Sequence, residues 1–287
     1  MDKKILAEGF REAERITRKF AKTFYLASLF LPKDKKYASY AVYAICRLSD
    51  DSVDNPENSD PRARLREIEK EISAAYTESS NISPLLAAFR ITARAYQIPK
   101  EYFEILIQGM YMDLEIKGYA DFRSLYKYCW QVAGVVGLIM LKILGSKNKA
   151  AQAYAVKLGI AMQLTNILRD INEDLKRNRV YLPENEMADF GILKSQLLEK
   201  NSDGRLKSLL RFQIQRCHEF YADSLPGIKL IDDRKVRFVV LVMQENYRLI
   251  LSAIQKNDYN IFSKRAQVSK LKKIMTVIKI LLEGKYL

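Results

Sequence analysis

Along most of the chain, apolar residues recur every three or four positions, the period of an α-helix with one buried face. A first helix holds Phe20, Phe24 and Tyr25 and closes at Leu31-Pro32. A second starts near Asp34 and runs to Asp54, where Asn55-Pro56 stops it, because the residue before proline is pushed out of α geometry. A charged helix follows over Arg62–Tyr76, and Ser83-Pro84 caps another that ends before Pro99. The same periodicity predicts helices over Lys100–Lys117, Phe122–Leu144, Asn148–Leu175, Ile192–Asp223, Asp233–Gln255 and Gln267–Leu282. Only Arg179-Val180-Tyr181-Leu182 hints at alternation, as a short flap. The pattern predicts an all-α fold of about ten helices.

Two of these helices carry polar stripes that their apolar surroundings do not explain. In the second, Tyr43, Arg47, Asp50 with Asp51, and Asp54 share one face, while Tyr40, Ala41, Val42, Ala44 and Ile45 are core-like. Like charges at i and i+4 repel by a few tenths of a kcal/mol, which a solvated face tolerates. A stripe inside a core helix, however, needs a polar partner. Gln163, Asn166, Asp170 and Asp174 form a matching stripe, flanked by Arg169 and Glu173, on a helix of small residues such as Ala155, Gly159 and Ala161. Two carboxylate stripes facing each other in a bundle call for hard cations. Mg²⁺ fits, since it takes one or two carboxylates together with substrate phosphate oxygens. Arg47, Arg169 and Arg179 suit a diphosphate. Phe20, Phe24, Tyr25, Tyr128 and Trp130 offer aromatic faces for an apolar tunnel, where they would stabilise a cation.

Composition narrows the reading further. Hydrophobic residues make up 48% of 287 residues, with 11 Gly and 7 Pro, which suits one large helical core over residues 1–287 with no linker or repeat. The formal charge of +14 favours an anionic partner: a phosphorylated substrate, a membrane surface or nucleic acid. No nucleic-acid-binding motif accompanies it, so no nucleic-acid partner is expected. Cys46, Cys129 and Cys217 are dispersed and His218 is the single histidine, which argues against zinc, disulfides and histidine-based catalysis. Free thiols and a charged N-terminus predict a cytoplasmic protein without a signal peptide. The longest nearly uncharged run, Tyr128–Leu141, is too short to span a bilayer, which takes about 20 residues.

The motifs together resemble the squalene/phytoene synthase family. The segments that carry the resemblance are Ala21–Tyr25, Tyr43–Asp54, Tyr128–Gly137, Gln163–Asp174, Arg179–Pro183, Tyr247 and Tyr259–Arg265, which span the chain from about residue 15 to 275. The resemblance implies a single-domain isoprenoid-synthase helical bundle with a central cavity. It implies head-to-head joining of two allylic prenyl diphosphates through a cyclopropylcarbinyl diphosphate. Mg²⁺, or Mn²⁺ in its stead, would be held by Asp50, Asp54, Asp170 and Asp174, with Asn166 completing the metal set. Tyr43, Arg47 and Arg169 join the four aspartates as the catalytic set. Lys22, Thr23, Phe24, Tyr43, Arg47, Gln163, Asn166, Arg179, Tyr181, Tyr247 and Arg265 would surround the substrates. NADPH would be needed only if the product were squalene.

The motif Ala21-Lys22-Thr23-Phe24-Tyr25, and small Ala27 and Ser28 one turn on, favour C20 geranylgeranyl diphosphate and phytoene, the entry to carotenoids. The alternative is C15 farnesyl diphosphate, giving presqualene diphosphate, squalene or dehydrosqualene. A head-to-tail synthase or a terpene cyclase fits the second stripe less well, since a cyclase would carry a Ser/Thr and Glu where Asp170 and Asp174 stand. The non-enzyme alternative is a basic helical protein that binds membranes or RNA. Gly134 and Gly137 inside a helix serve either close packing or room for a prenyl chain. Near the C-terminus, Val268, Leu271, Ile274, Met275, Ile278 and Leu281/Leu282 form an apolar stripe beside Lys270, Lys272, Lys273 and Lys279. That stripe either packs on the protein's own core or makes peripheral membrane contact.

Overall fold

The computed structural model describes residues 3–55, 58–77, 82–200, 203–263 and 265–284, and Pro56 and Lys264 lie outside them. The helices are α1 (Lys3–Phe20), α2 (Lys22–Ser28), α3 (Lys33–Asp54), α4 (Pro61–Ala75), α5 (Pro84–Ala95), α6 (Lys100–Glu115) and α7 (Phe122–Cys129). A π-helical turn, Trp130–Gly134, joins α7 to α8 (Val135–Leu144). Next come α9 (Ala151–Lys176), α10 (Glu184–Asp189), α11 (Lys194–Leu198) and α12 (Gly204–Ser224). A 3₁₀ turn, Leu225–Leu230, leads to α13 (Arg234–Lys256) and α14 (Lys270–Glu283). Among the described residues there is no strand, so the fold is all-α as the periodicity predicts.

Local chemistry sets many of the boundaries. Asp60 and Ser83 accept from the amides of Ala63 and Leu86, each with proline at the first helical position, where its missing N–H costs nothing. Asp121 and Ser124 form a reciprocal capping box that starts α7. Asp203 and Asp233 cap α12 and α13, each carboxylate accepting from two amides of the first turn.

Three apolar clusters surround a common centre. One gathers α1, α3, α4, α5, α6 and α8 around Tyr40, Phe89 and Phe103. A second gathers α7, α9 and α12 around Ile160, Leu210 and Tyr221. A third joins α2, α13 and α14 through Ala27, Leu31, Phe238, Val242 and Ile280. Between them α8 and α9 cross closely. A Cβ on Gly137 would collide with the Ala155 carbonyl, and one on Gly159 with the Ala133 carbonyl. Gly137 and Gly159 also line the central cavity, so at position 137 close packing and room for a ligand are one feature. Gly137→Ala is expected to destabilise the fold by about 1–3 kcal/mol, because the obstacle is backbone that cannot swing aside. Urea denaturation checks this, and an unchanged midpoint would mean that the crossing yields freely.

The structure departs from the sequence-based expectation in four places. The first helix is broken at Ala21 (φ −119°, ψ 55°), which turns α2 so that Phe24 faces the centre. No Gly or Pro marks that break. The span 192–223 is two helices, separated before the Asp203 cap. The flap at Arg179–Leu182 is not a strand; Val180 N–H donates to the Lys117 carbonyl and Glu184 N–H to the Tyr119 carbonyl, pinning one loop to another. Finally, Phe122–Leu144 runs as 23 helical residues, as the periodicity predicts, but its most apolar 18-residue stretch has a mean hydropathy of 1.4. The segment is thus long and apolar enough by composition to cross a membrane, beyond the short uncharged run that the sequence singles out. Here it lies against α6 and α9, with Val135, Ile139 and Ile143 fully buried.

Candidate active site

A cavity of about 350 Å³ opens at the centre of the bundle. Its polar end is formed by Tyr43 and Asp50 of α3, Gln163 and Asn166 of α9, and Tyr247 of α13. Its other end is apolar: Leu31, Leu144, Ile228, Ile231 and Val239. Between them Ala133, Gly137, Ala155 and Gly159 keep the walls low. Of the five aromatic residues expected to line a tunnel, only Phe24 does so. Phe20 is exposed and lies under the Arg47 guanidinium, Tyr25 stacks on Tyr40, and Tyr128 is buried among Tyr119 and Tyr181. Tyr43, Tyr154 and Tyr247 supply the other rings. Ala27 and Ser28 do not line the cavity either; Ser28 is fully buried against the Tyr40 hydroxyl, at 2.7 Å. The length of the cavity is therefore set by Leu31 and the far apolar end.

The two aspartate stripes meet at the polar end. α9 ends in a tight turn in which Asn178 takes a left-handed conformation (φ 56°), which asparagine tolerates better than most residues. The amides of Arg177 and Arg179 both return to the Asp174 carbonyl at 2.9 Å. That turn sends Arg179 across to α3, where its Nη1 donates to Asp54 Oδ1 at 2.8 Å, with Arg177 on Oδ2 at 3.3 Å. Arg169 grips its neighbour Asp170 through both Nε (2.7 Å) and Nη2 (2.5 Å), and Arg265 Nε adds a third bond at 2.7 Å. Asn172 holds the loop that carries Arg265 by donating to the Phe262 carbonyl at 3.0 Å. Arg47 pairs with Asp51. Lys22 is exposed at the rim, and Thr23 accepts a hydrogen bond from Lys273 of α14 at 2.6 Å.

These pairings split the carboxylates into two classes. Burial resists ionisation of Asp170, yet the bonds from Arg169 and Arg265 hold it below the usual carboxylate range. Asp50 is pushed up to about 7 by burial, which Arg47 only partly offsets against the charges of Asp54, Asp113 and Asp51. Asp174 is likewise pushed up to about 7, by burial and then by Asp170, with Arg177 opposing. Both therefore lack the positive charge that their surroundings call for.

Two residues of this site carry no motif. Asp113 of α6 is buried and accepts from the Tyr128 hydroxyl at 2.9 Å and the Tyr181 hydroxyl at 2.6 Å. Its signal in the sequence is its phase, since it follows buried Leu106 and Met110 on the inner face of the helix. Tyr181 consequently turns its hydroxyl to Asp113 and not to the cavity. Lys273 reaches in from α14; burial and then Arg169 lower its pKa, so it stands at the cationic rim.

The donor set fits divalent cations. No three acidic, Cys or His groups among the described residues converge on one point, as expected where Mg²⁺ draws most of its ligands from water and substrate phosphate. Buried polar atoms without partners include Asn166 Oδ1, Glu173 Oε2, Arg47 Nε and Arg179 Nε, all within the two stripes and the adjoining turn. Buried groups of this kind normally have partners, and an ion with a diphosphate would supply them.

A pH dependence follows for the metal-free protein. Asp50 and Asp174 ionise near 7 when folded and near 4 when unfolded, so the folded state holds more protons between those values. Their contribution to stability therefore declines as pH rises from about 4 to about 7. His218, lowered by burial and by Arg248, acts oppositely below its ordinary value. Melting curves for wild type and Asp50→Asn/Asp174→Asn isolate the carboxylate effect. The double variant should gain most over wild type at pH 8; a gain independent of pH would contradict the assignment.

A sequence profile of squalene/phytoene synthases matches residues 17–272. The chain is 34% identical to a 15-cis-phytoene synthase of Synechococcus elongatus, over 95% of this chain and 92% of that protein. It is 35% identical to a phytoene synthase of Arthrospira platensis, over 94% and 91%. Among solved structures, a dehydrosqualene synthase crystallised with a ligand superposes with a TM-score of 0.91 at 31% identity, covering 98% of both chains. With this fold, this cavity and these motifs, the chain belongs to the squalene/phytoene synthase family.

Proposed function

We propose that the protein is a divalent-cation-dependent prenyltransferase that joins two molecules of geranylgeranyl diphosphate head to head to give phytoene. The observation that carries this reading is the junction of two carboxylate stripes and a ring of arginines with one end of an otherwise apolar cavity. Asp50, Asp54, Asp170 and Asp174, with Asn166 beside them, would hold Mg²⁺, which supplies charge to bind and release diphosphate. Arg47, Arg169, Arg179, Arg265, Lys22 and Lys273 would receive the diphosphate oxygens, with Thr23 and Gln163 as hydrogen-bonding neighbours. Tyr43, Tyr247 and Phe24 would face the allylic cation formed on ionisation, and the dry walls would keep water from capturing it. Tyr181, bonded to Asp113, would steady Arg179 and not touch the substrate. The C20 assignment rests on the phytoene synthases at 34–36% identity and on the small residues along the cavity wall.

A second reading has its own support: the dehydrosqualene synthase neighbour favours C15 farnesyl diphosphate and a C30 product. NADPH would enter only if that product were squalene. Three free cysteines, each with its thiol pushed up by burial, suit a reducing, cytoplasmic setting. The test is incubation with equimolar C15 and C20 diphosphates, with and without Mg²⁺ and NADPH, and hydrocarbons read by mass spectrometry. Phytoene should dominate and should vanish with EDTA. A dominant C30 hydrocarbon would replace the chain-length assignment, and no hydrocarbon under any condition would leave the binding-protein alternative.

A further inference from the structure

Nine of the seventeen large hydrophobic side chains exposed among the described residues lie on or just after α2 and on α14. On α14 they are Leu271, Ile274, Met275, Ile278, Leu281 and Leu282, at helical spacing, with Leu282 83% exposed. The opposite side of α14 already has its partner, because Ile280 and Val277 pack into the cluster built on α2 and α13. The sequence left the outer stripe between packing on the core and facing outward, and the structure turns it outward. Leu26, Leu29 and Phe30 add exposed apolar surface at α2, with Phe30 set edge-on to Phe238 of α13. Lys273 ties the two elements together through Thr23.

The fringe of this surface is basic. Lys270 and Lys279 are exposed on α14, and Lys272 stands against Lys256, whose hydrogen bond and charge lower its pKa. Two ammonium groups held together favour an anion between them. A second copy of the same face would bring lysines against lysines. An exposed apolar stripe bordered by lysine is instead the pattern of a helix lying in the interface of an anionic bilayer. The place of the surface in the fold agrees: Phe24 and Leu31 line the cavity from the segment that exposes Leu26, Leu29 and Phe30 on its other side.

We propose that α14 and the outer face of α2 form a docking surface for an anionic lipid bilayer, which sets the cavity one helix away from the membrane. The proposal concerns association and holds for a C30 or a C40 product alike.

The test is flotation of the full chain with phosphatidylcholine vesicles, with and without phosphatidylglycerol, at low and high salt. Wild type should float with the anionic vesicles and be released by salt. Lys270→Gln/Lys272→Gln should weaken that association roughly 25-fold, at about fivefold per charge near an anionic surface. Ile274→Glu/Ile278→Glu should weaken it at least about tenfold by removing apolar insertion. Melting curves and turnover on detergent-dispersed substrate should be unchanged in both; if the Glu pair fails to fold, Ile274→Ser/Ile278→Ser takes its place. Absence of flotation at low salt, or flotation indifferent to both variants, overturns the proposal. So does a dimer in sedimentation that the Glu pair dissolves while vesicles remain unbound, since that assigns the face to a second copy.

Discussion

Asp50→Asn is expected to lower turnover at least about 10³-fold, some 4 kcal/mol of barrier, while leaving the fold as stable as before or more so. Asparagine keeps the shape of the side chain and removes its charge. In the absence of cations that charge is a burden: burial and the neighbouring Asp54, Asp113 and Asp51 push Asp50 up to about 7 despite Arg47. A neutral group there relieves repulsion. The reaction, on the reading proposed above, uses the charge to recruit a cation. Asp170→Asn should lower turnover to a similar extent but with a different signature. Asp170 holds Arg169 and Arg265 at 2.5–2.7 Å, so its loss frees two guanidinium groups and should lower the melting temperature as well. Product formation under excess Mg²⁺, measured beside thermal melting, separates the two cases. Near-normal turnover of the folded Asp50→Asn protein would remove Asp50 from the site.

Much of this arrangement is legible in the sequence, and the parts that are not share a cause. The helix over Lys33–Asp54 is announced by its apolar period and by its Asn55-Pro56 stop, and α9 by its run of small residues. Polar residues on apolar helices mark the cavity end of both, because nothing in a core tolerates them without a partner. Pairings between distant segments have no such local sign. Arg179 crosses to Asp54 because of a turn at Asn178, and Arg265 reaches Asp170 because Asn172 anchors its loop. The break at Ala21 is equally silent, since an alanine there has no breaker chemistry; what it achieves, the inward turn of Phe24, is a tertiary result. Ala27 and Ser28 mislead for the same reason. Their smallness serves contacts with the third core cluster and with Tyr40, and the cavity passes on the other side of α2.

Asp113→Ala is expected to cost about 1–3 kcal/mol of stability and about 10² in kcat/KM, although Asp113 does not line the cavity. Burial raises the pKa of this carboxyl, and only the Tyr181 and Tyr128 hydroxyls and the charge of Arg179 oppose that. Removing it ends one unfavourable burial, which moderates the loss. It also takes the shared acceptor from both hydroxyls in a packed stack of Tyr119, Tyr128 and Tyr181; the two keep a hydrogen bond to each other, so one buried O–H is left unpaired, at about 1–3 kcal/mol. The effect on rate has a separate origin. Tyr181 and Arg179 lie on one short segment, and Arg179 is the bridge from that segment to Asp54. Freed of Asp113, Tyr181 no longer fixes the segment, and a displacement of about 1 Å at Arg179 is enough for a loss of this size. Asp113→Asn discriminates positioning from bulk stability, because its carbonyl can still accept from one tyrosine. It should recover most of the lost stability and part of the rate. If Asp113→Ala melted lower yet kept full kcat/KM in its folded fraction, Asp113 would be a packing residue alone.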